Sequence, residues 1–143
     1  YGGFVTTDNY KRKIWKRENS PMDISAVIFL PNNKKRGDVT RLKLLSDIYM
    51  EAFQLAYSGQ YWKAMTLNGV LTSSLLSNSY TITRMCLENG ALAASISGNG
   101  PAIAAVVRES EVQKIKSVLS NLDGRVLISR TNNQKASTVR EVE

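Results

Sequence analysis

The chain contains no histidine and only one cysteine, Cys86. The first absence removes the commonest general base, the Ser–His and Cys–His nucleophilic pairs and most zinc sites. Any chemistry here falls to carboxylates, lysine, arginine or backbone donors. A lone thiol excludes an internal disulfide and suits a reducing compartment, so a cytoplasmic setting is expected. Its expected role is filler in an apolar helix rather than a reactive group. No apolar run approaches the ~18 residues of a membrane span. Nothing at the start has the basic, apolar and cleavable order of a secretion signal. The pattern G-x-x-x-x-G-K-[ST] occurs nowhere, which excludes a Walker-type nucleotide site from this chain.

What is present is ordinary globular composition. The 143 residues are 43% hydrophobic and 22% charged, enough for one domain with an adequate core. Lys and Arg number 19 against 12 Asp and Glu, a formal charge of +7 that suits nucleic acid, an acidic partner or a small anion. The basic residues gather as Lys11, Arg12, Lys13, Lys16 and Arg17, then Lys34, Lys35 and Arg36. Only Tyr10 and Trp15 lie near them, and no nucleic-acid motif accompanies them. A solvated strand edge that discourages sheet pairing accounts for the same lysines, so nucleic acid is not the expected partner. The first residue is Tyr1, directly before a strand-like segment, and the chain is therefore expected to be the C-terminal part of a longer protein.

Periodicity divides the chain into α and β parts. Residues 4–7, 13–17 and 25–30 read as strands, the last a continuous apolar run ended by Pro31. Asp8-Asn9 is a reversal signal between the first two. Leu42, Leu45, Tyr49, Ala52 and Ala56 then mark one face of a helix, with Asp38 as N-cap and Ser58-Gly59 as stop. Ala64, Leu67, Leu71 and Leu75 mark a second helix, and a third over 80–88 closes at Asn89-Gly90. Strands are expected at 92–96 and 102–107. Ser110-Glu111-Val112-Gln113 has the capping-box form and opens a last helix carrying Val112, Ile115, Leu119 and Leu122. A final strand follows over 125–130, and residues 138–143 are expected to fray. The expectation is a single α+β domain over residues 1–143, a ferredoxin-like sandwich with one antiparallel sheet and helices packed on one face.

The chemical clue is Ser97-Gly98-Asn99-Gly100-Pro101, a turn between two runs of small apolar residues. Two glycines in three positions allow a tight backbone path with uncovered N–H groups, which can accept an anion without a charged side chain. It is not a dinucleotide fingerprint, because Ile103 stands where the third glycine belongs and no strand–turn–helix follows. By itself the turn fits a plain hairpin equally well.

The context extends the pattern. A helix over 80–88, then Asn89-Gly90-Ala91, then Ala94-Ser95-Ile96-Ser97-Gly98-Asn99-Gly100-Pro101, resembles the third conserved motif of the GHMP kinases. Asn99 replaces a commoner small residue there. Tyr1-Gly2-Gly3-Phe4-Val5-Thr6-Thr7-Asp8-Asn9, Gly124-Arg125-Val126 and Arg130-Thr131-Asn132-Asn133 resemble segments of the archaeal shikimate kinases within that family. The resemblance implies a transferase of aromatic amino-acid biosynthesis that moves the γ-phosphoryl group of ATP to a hydroxyl of shikimate. It implies that Ser97, Gly98, Asn99, Gly100 and Pro101 line an inter-domain cleft near phosphate or substrate, and that Arg84 either pairs with the shikimate carboxylate or is a solvated helix residue. Thr131, Asn132 and Asn133 close the cleft edge or form a polar tail. The family's P-x-x-x-G-L-x-S-S-x nucleotide loop is absent, and its carboxylate before the Gly-Gly pair would precede Tyr1. The implied N-terminal ATP-binding domain would therefore carry most contacts to ATP and Mg2+, with no catalytic or metal-binding residue in this chain. The chain alone is expected to be inert. Homoserine kinase or another GHMP kinase, and a non-enzymatic ferredoxin-like ligand-binding module, are the alternatives.

Overall fold

The computed structural model describes residues 2–8, 10–33, 37–76 and 80–137. They belong to two compact units, one drawn from Tyr1–Met22 and Thr131–Glu143, the other Asp23–Arg130. Lys34, Lys35, Arg36, Asn9 and residues 138–143 lie outside the described residues.

The smaller unit is a hairpin held by the chain's late segment. Strands β1 (Phe4–Asp8) and β2 (Lys13–Glu18) pair antiparallel from Phe4↔Glu18 to Asp8↔Lys13, with a register shift between Thr6 and Thr7. The Asp8 carboxylate accepts the N–H groups of Tyr10 (3.1 Å) and Lys11 (3.0 Å), and Arg12 takes a left-handed φ of 52° to complete the reversal. The sequence suggested that these strands share one sheet with the next; they form a separate two-stranded sheet instead. Their outward face is Lys13, Trp15 and Arg17, too polar to cover a core. What fastens the hairpin is Asn133. Its Oδ1 accepts from the Ser20 N–H (2.8 Å) and hydroxyl (2.9 Å), and its Nδ2 donates to the Ser20 carbonyl (3.0 Å). The Gly3 N–H donates to the Asn132 carbonyl (2.7 Å) and the Thr131 hydroxyl to the Pro21 carbonyl (2.7 Å). A Cβ on Gly2 would collide with the Asn133 backbone, so this close approach requires the glycine.

The larger unit begins with β3 (Ile24–Pro31). A 3-10 segment, Val39–Leu45, leads into α1 (Ser46–Tyr57), followed by α2 (Tyr61–Leu75) and α3 (Thr81–Glu88). Then come β4 (Ala93–Ile96), β5 (Ile103–Arg108), α4 (Val112–Ser120) and β6 (Gly124–Arg130). The sheet order is β4-β5-β3-β6, antiparallel throughout, with Phe29 opposite Ile103 on one side and Val126 on the other. That order with the β-α-β-β-α-β chain path is the ferredoxin-like arrangement. The core joins Val27 and Phe29, Ala94 and Ile96, and Ile103, Ala105 and Val107 to Cys86 of α3 and Val112, Ile115 and Leu119 of α4. The i, i+3, i+7 spacing of the last three gives α4 its buried face. Helix α2 runs along the edge strand β4, all four residues of which are buried. No helix among the described residues is long and apolar enough to cross a membrane.

Two helix starts differ from the sequence reading. Asp38 does cap, accepting from the Thr40 N–H (3.0 Å) and hydroxyl (2.7 Å), and these bonds hold its carboxyl below the usual range. The first turns it starts are 3-10, however, and the α-helix begins only at Ser46. Apolar residues three apart suit both geometries, so Leu42 and Leu45 could not distinguish them. Ser110 is not the N-cap of α4. Winding already starts in a 3-10 turn over Glu109–Glu111, which places Ser110 inside the turn, and α4 has no side-chain cap bond. Glu109 makes the tertiary contact there, accepting from the Ser25 hydroxyl at 2.6 Å.

Cys86 is fully buried, and burial pushes its thiol up from 9.0 to about 11. The native chain is therefore expected to resist a thiol reagent at pH about 8, whereas the denatured chain reacts. The folded state holds this proton more tightly than the unfolded one. Its contribution to stability is full below pH 9.0 and lost as the pH rises toward about 11, which a pH series of denaturation midpoints reads. For the clasp, Asn133→Ala strands the Ser20 N–H and carbonyl and should cost the smaller unit about 1–3 kcal/mol. Amide exchange should accelerate at Gly3 and Ser20 while Val27 and Ala105 keep their protection; uniform acceleration would refute a local role.

Candidate phosphate-binding loop

The loop is positioned by an α-helix that stops abruptly and a strand that is wholly buried. At the end of α3 the Gly90 N–H donates to the Leu87 carbonyl (3.1 Å) and the Ala91 N–H to the Cys86 carbonyl (3.0 Å). This is the paired-bond stop that a left-handed residue allows, and Gly90 has φ 100°. Asn89 adds a bond from its Nδ2 to the Met85 carbonyl (2.9 Å). The chain then enters β4, where small residues pass close to α2 and to the core.

Residues 97–101 join β4 to β5. The Ser97 N–H donates to the Ala102 carbonyl (2.7 Å), extending the β4–β5 ladder to the base of the loop. The Gly100 N–H donates back to the Ser97 carbonyl (3.1 Å). Gly98 (φ 58°) and Gly100 (φ 72°) adopt the left-handed conformation, and the Gly100–Pro101 bond is cis. Ser97, Gly98 and Asn99 are exposed; Gly100 and Pro101 are half-buried. The two glycines were expected to leave the N–H groups of this turn uncovered. Gly100 uses its own to close the turn, which leaves those of Gly98 and Asn99 with no acceptor among the described residues. Two exposed amides beside a serine hydroxyl, fixed on a buried ladder, can donate to an oxyanion without reorganising.

Arg84 is engaged on its own helix. It projects from α3 with 62% of its side chain exposed and pairs with Glu88 one turn on, Nε to Oε1 3.7 Å. No hydrogen bond or ion pair links it to residues 97–101 among the described residues. No three His, Cys, Asp or Glu side chains gather in one place among the described residues. Thr131 and Asn133 are engaged in the hairpin clasp described above. Sequence reasoning did not foresee the groove of about 480 Å³ between α1 and α2, lined chiefly by Tyr49, Phe53, Tyr61, Met65 and Asn68. The signal was present: Tyr49 and Phe53, four residues apart on α1, with Tyr61 and Met65 at the same spacing on α2. Tyr49 is set by a 3.0 Å hydrogen bond with Thr72.

Residues 54–123 match the family model described as GHMP kinases C terminal. This segment is a GHMP kinase C-terminal domain. The GHMP domain takes in the third helical turn of α1 onward and runs to the start of β6, so the loop and its two strands lie within it. Among related sequences, the chain is 36% identical over 136 residues to a shikimate kinase of Methanobrevibacter smithii, covering 93% of this chain and 47% of that protein. It is 38% identical over 138 residues to the shikimate kinase of Methanothermobacter thermautotrophicus, covering 94% and 47%. The chain thus spans about half the length of the relatives it matches. Among solved structures, a homoserine kinase from Cytophaga hutchinsonii superposes with TM-score 0.63 at 23% identity, over 94% of this chain and 50% of that one. A mevalonate kinase gives 0.68 at 16% identity, over 94% and 49%. At these identities the structural matches speak to the fold.

A Cβ at Gly98 would enter open space, so Gly98→Ala meets only the backbone penalty of a left-handed φ. It is expected to lower stability by about 1–2 kcal/mol in denaturant unfolding, with the sheet intact. A larger loss would mean that the loop is packed rather than open.

Proposed function

We propose that this chain is the C-terminal half of an ATP-dependent kinase that phosphorylates a hydroxyl of shikimate. The observation that carries the reading is the 97–101 loop, with the Gly98 and Asn99 N–H groups exposed and unclaimed. Two relatives at 36–38% identity, both named shikimate kinase, support shikimate as the substrate in this reading. In the reaction the hydroxyl oxygen forms a bond to the γ-phosphorus of ATP, the bond from that phosphorus to the ADP oxygen breaks, and the hydroxyl proton leaves. Negative charge gathers on the transferring phosphoryl oxygens, and catalysis is chiefly positioning and charge stabilisation. The two loop amides and the Ser97 hydroxyl donate to those oxygens or to substrate beside them. Arg84 is the cation offered to the substrate carboxylate by a two-point contact, exchanging its exposed pairing with Glu88 for it.

The remaining machinery belongs to the N-terminal half of the longer protein. That half supplies the nucleotide loop, the carboxylate and the ligands of Mg2+, which assists the developing charge when bound. The cytoplasm is the proposed location.

The isolated chain should therefore show no turnover with ATP and shikimate. The longer protein should phosphorylate shikimate and not homoserine; the reverse preference would replace the substrate, and phosphorylation of neither would end the kinase reading. In that protein Gly100→Val forces a β-branched residue into a left-handed position and displaces the loop amides. Turnover should fall about a hundredfold or more. Circular dichroism should stay native; global unfolding would show that the glycine serves only the turn.

A further inference from the structure

The pair Asn-Gly occurs three times in the chain, at 68–69, 89–90 and 99–100. Glycine has no Cβ to shield its nitrogen or restrict its backbone, so that nitrogen can reach the side-chain amide of a preceding asparagine. The fold treats the three pairs differently. Asn68-Gly69 lies within α2, and Gly69 is buried. The helical hydrogen-bond ladder holds its backbone in a fixed geometry. At the end of α3 both partners are tied. The Asn89 Nδ2 donates to the Met85 carbonyl (2.9 Å) and the Gly90 N–H to the Leu87 carbonyl (3.1 Å). Asn99-Gly100 stands in the turn between β4 and β5. Asn99 is exposed, and its side chain makes no hydrogen bond among the described residues. One bond, from the Gly100 N–H to the Ser97 carbonyl (3.1 Å), holds the nitrogen that would attack it. An exposed turn closed by a single bond opens far more often than a helix interior.

We propose that Asn99 is a site of spontaneous deamidation, a covalent modification that the fold confines to this one of the three pairs. The Gly100 nitrogen gives up its proton to base and bonds to the Asn99 Cγ. The bond from that carbon to Nδ2 breaks, and the departing nitrogen takes a proton from solvent and leaves as ammonia. Water then opens the resulting cyclic imide at one of its two carbonyl carbons. Opening at one gives aspartate. Opening at the other gives isoaspartate, in which the main chain continues through Cβ and Cγ. In total the asparagine gains a water and loses an ammonia, with no oxidation or reduction. Either product sets a carboxylate beside the Gly98 and Asn99 N–H groups, where it repels a phosphate and competes for the same donors. Isoaspartate also lengthens the main chain here and displaces those amides. The modification rests on local geometry alone; its consequence, a loop that loses its phosphoryl contacts with age, rests on the kinase reading.

The test is peptide mapping by mass spectrometry after the native chain is incubated in mildly alkaline buffer, with a denatured sample alongside. The mass change that marks exchange of an amide NH2 for OH is expected at Asn99 about tenfold faster or more than at Asn68 and Asn89. In the denatured sample the three sites should react at comparable rates, because only the fold distinguishes them. Mildly acidic buffer should slow the reaction, since the attacking nitrogen must lose its proton. Native reaction at Asn99 no faster than at Asn68 or Asn89 would overturn the proposal, as would unequal rates of the same order in the denatured chain. In the longer protein, turnover with ATP and shikimate should fall in step with the fraction modified at Asn99. Asn99→Ser, whatever its starting turnover, should hold that value over the same incubation. Full modification with turnover retained would overturn the inactivation. A longer protein inactive before any incubation would strike the kinase reading instead, and the mapping would still decide the modification.

Discussion

Phe29 and Val27, sealed on the core face of β3, are the constraint on which the larger unit depends. β3 is bonded on both edges, to β5 and β6, and its core face is closed by α3 and α4. β4 is reached only through β5, so the strand that launches the 97–101 loop is fixed at second hand by the same pairing. Burying an aromatic and several branched side chains of this size contributes roughly 1.5–3 kcal/mol each. A backbone turn with two open amides would have little rigidity on an isolated hairpin. Attached to this sheet it inherits the order of the core.

How far the sequence announced this depends on whether a feature is local. The apolar run ended by Pro31, the Asn89-Gly90 stop and the Ser97–Pro101 turn are written in consecutive residues, and each occurs where the pattern put it. Their physics is local: a helix stop needs one left-handed residue, and a tight turn needs two. Asn133 is different. Its partner Ser20 is 113 positions away, and nothing in the Arg130–Lys135 string distinguishes a clasp from a polar tail. The Gly2-Gly3 pair was the available hint, since adjacent glycines in a strand-like segment often mark the close approach of another backbone. The failed cap at Ser110 is instructive in the opposite sense. The motif was complete in sequence, but a 3-10 turn beginning one residue earlier removed the free N–H groups that the hydroxyl would have met.

The choice of donor at the candidate loop is also physical. In the larger unit the candidate site uses backbone donors, and Arg84, the cation the sequence suggested for it, is paired with the solvated Glu88.

Backbone donors suit a transferring phosphoryl group better than flexible cations do. A lysine must be immobilised in each turnover, with a loss of rotamer freedom of up to roughly 2 kcal/mol, whereas the amides of Gly98 and Asn99 are already ordered by the ladder beneath them. They carry no charge of their own, so they do not compete with whatever cations the nucleotide brings. The same reasoning accounts for the Gly100 bond to Ser97. One amide is given up to hold the other two in place, and a loop that exposed all three would have lost the internal bond that fixes its shape.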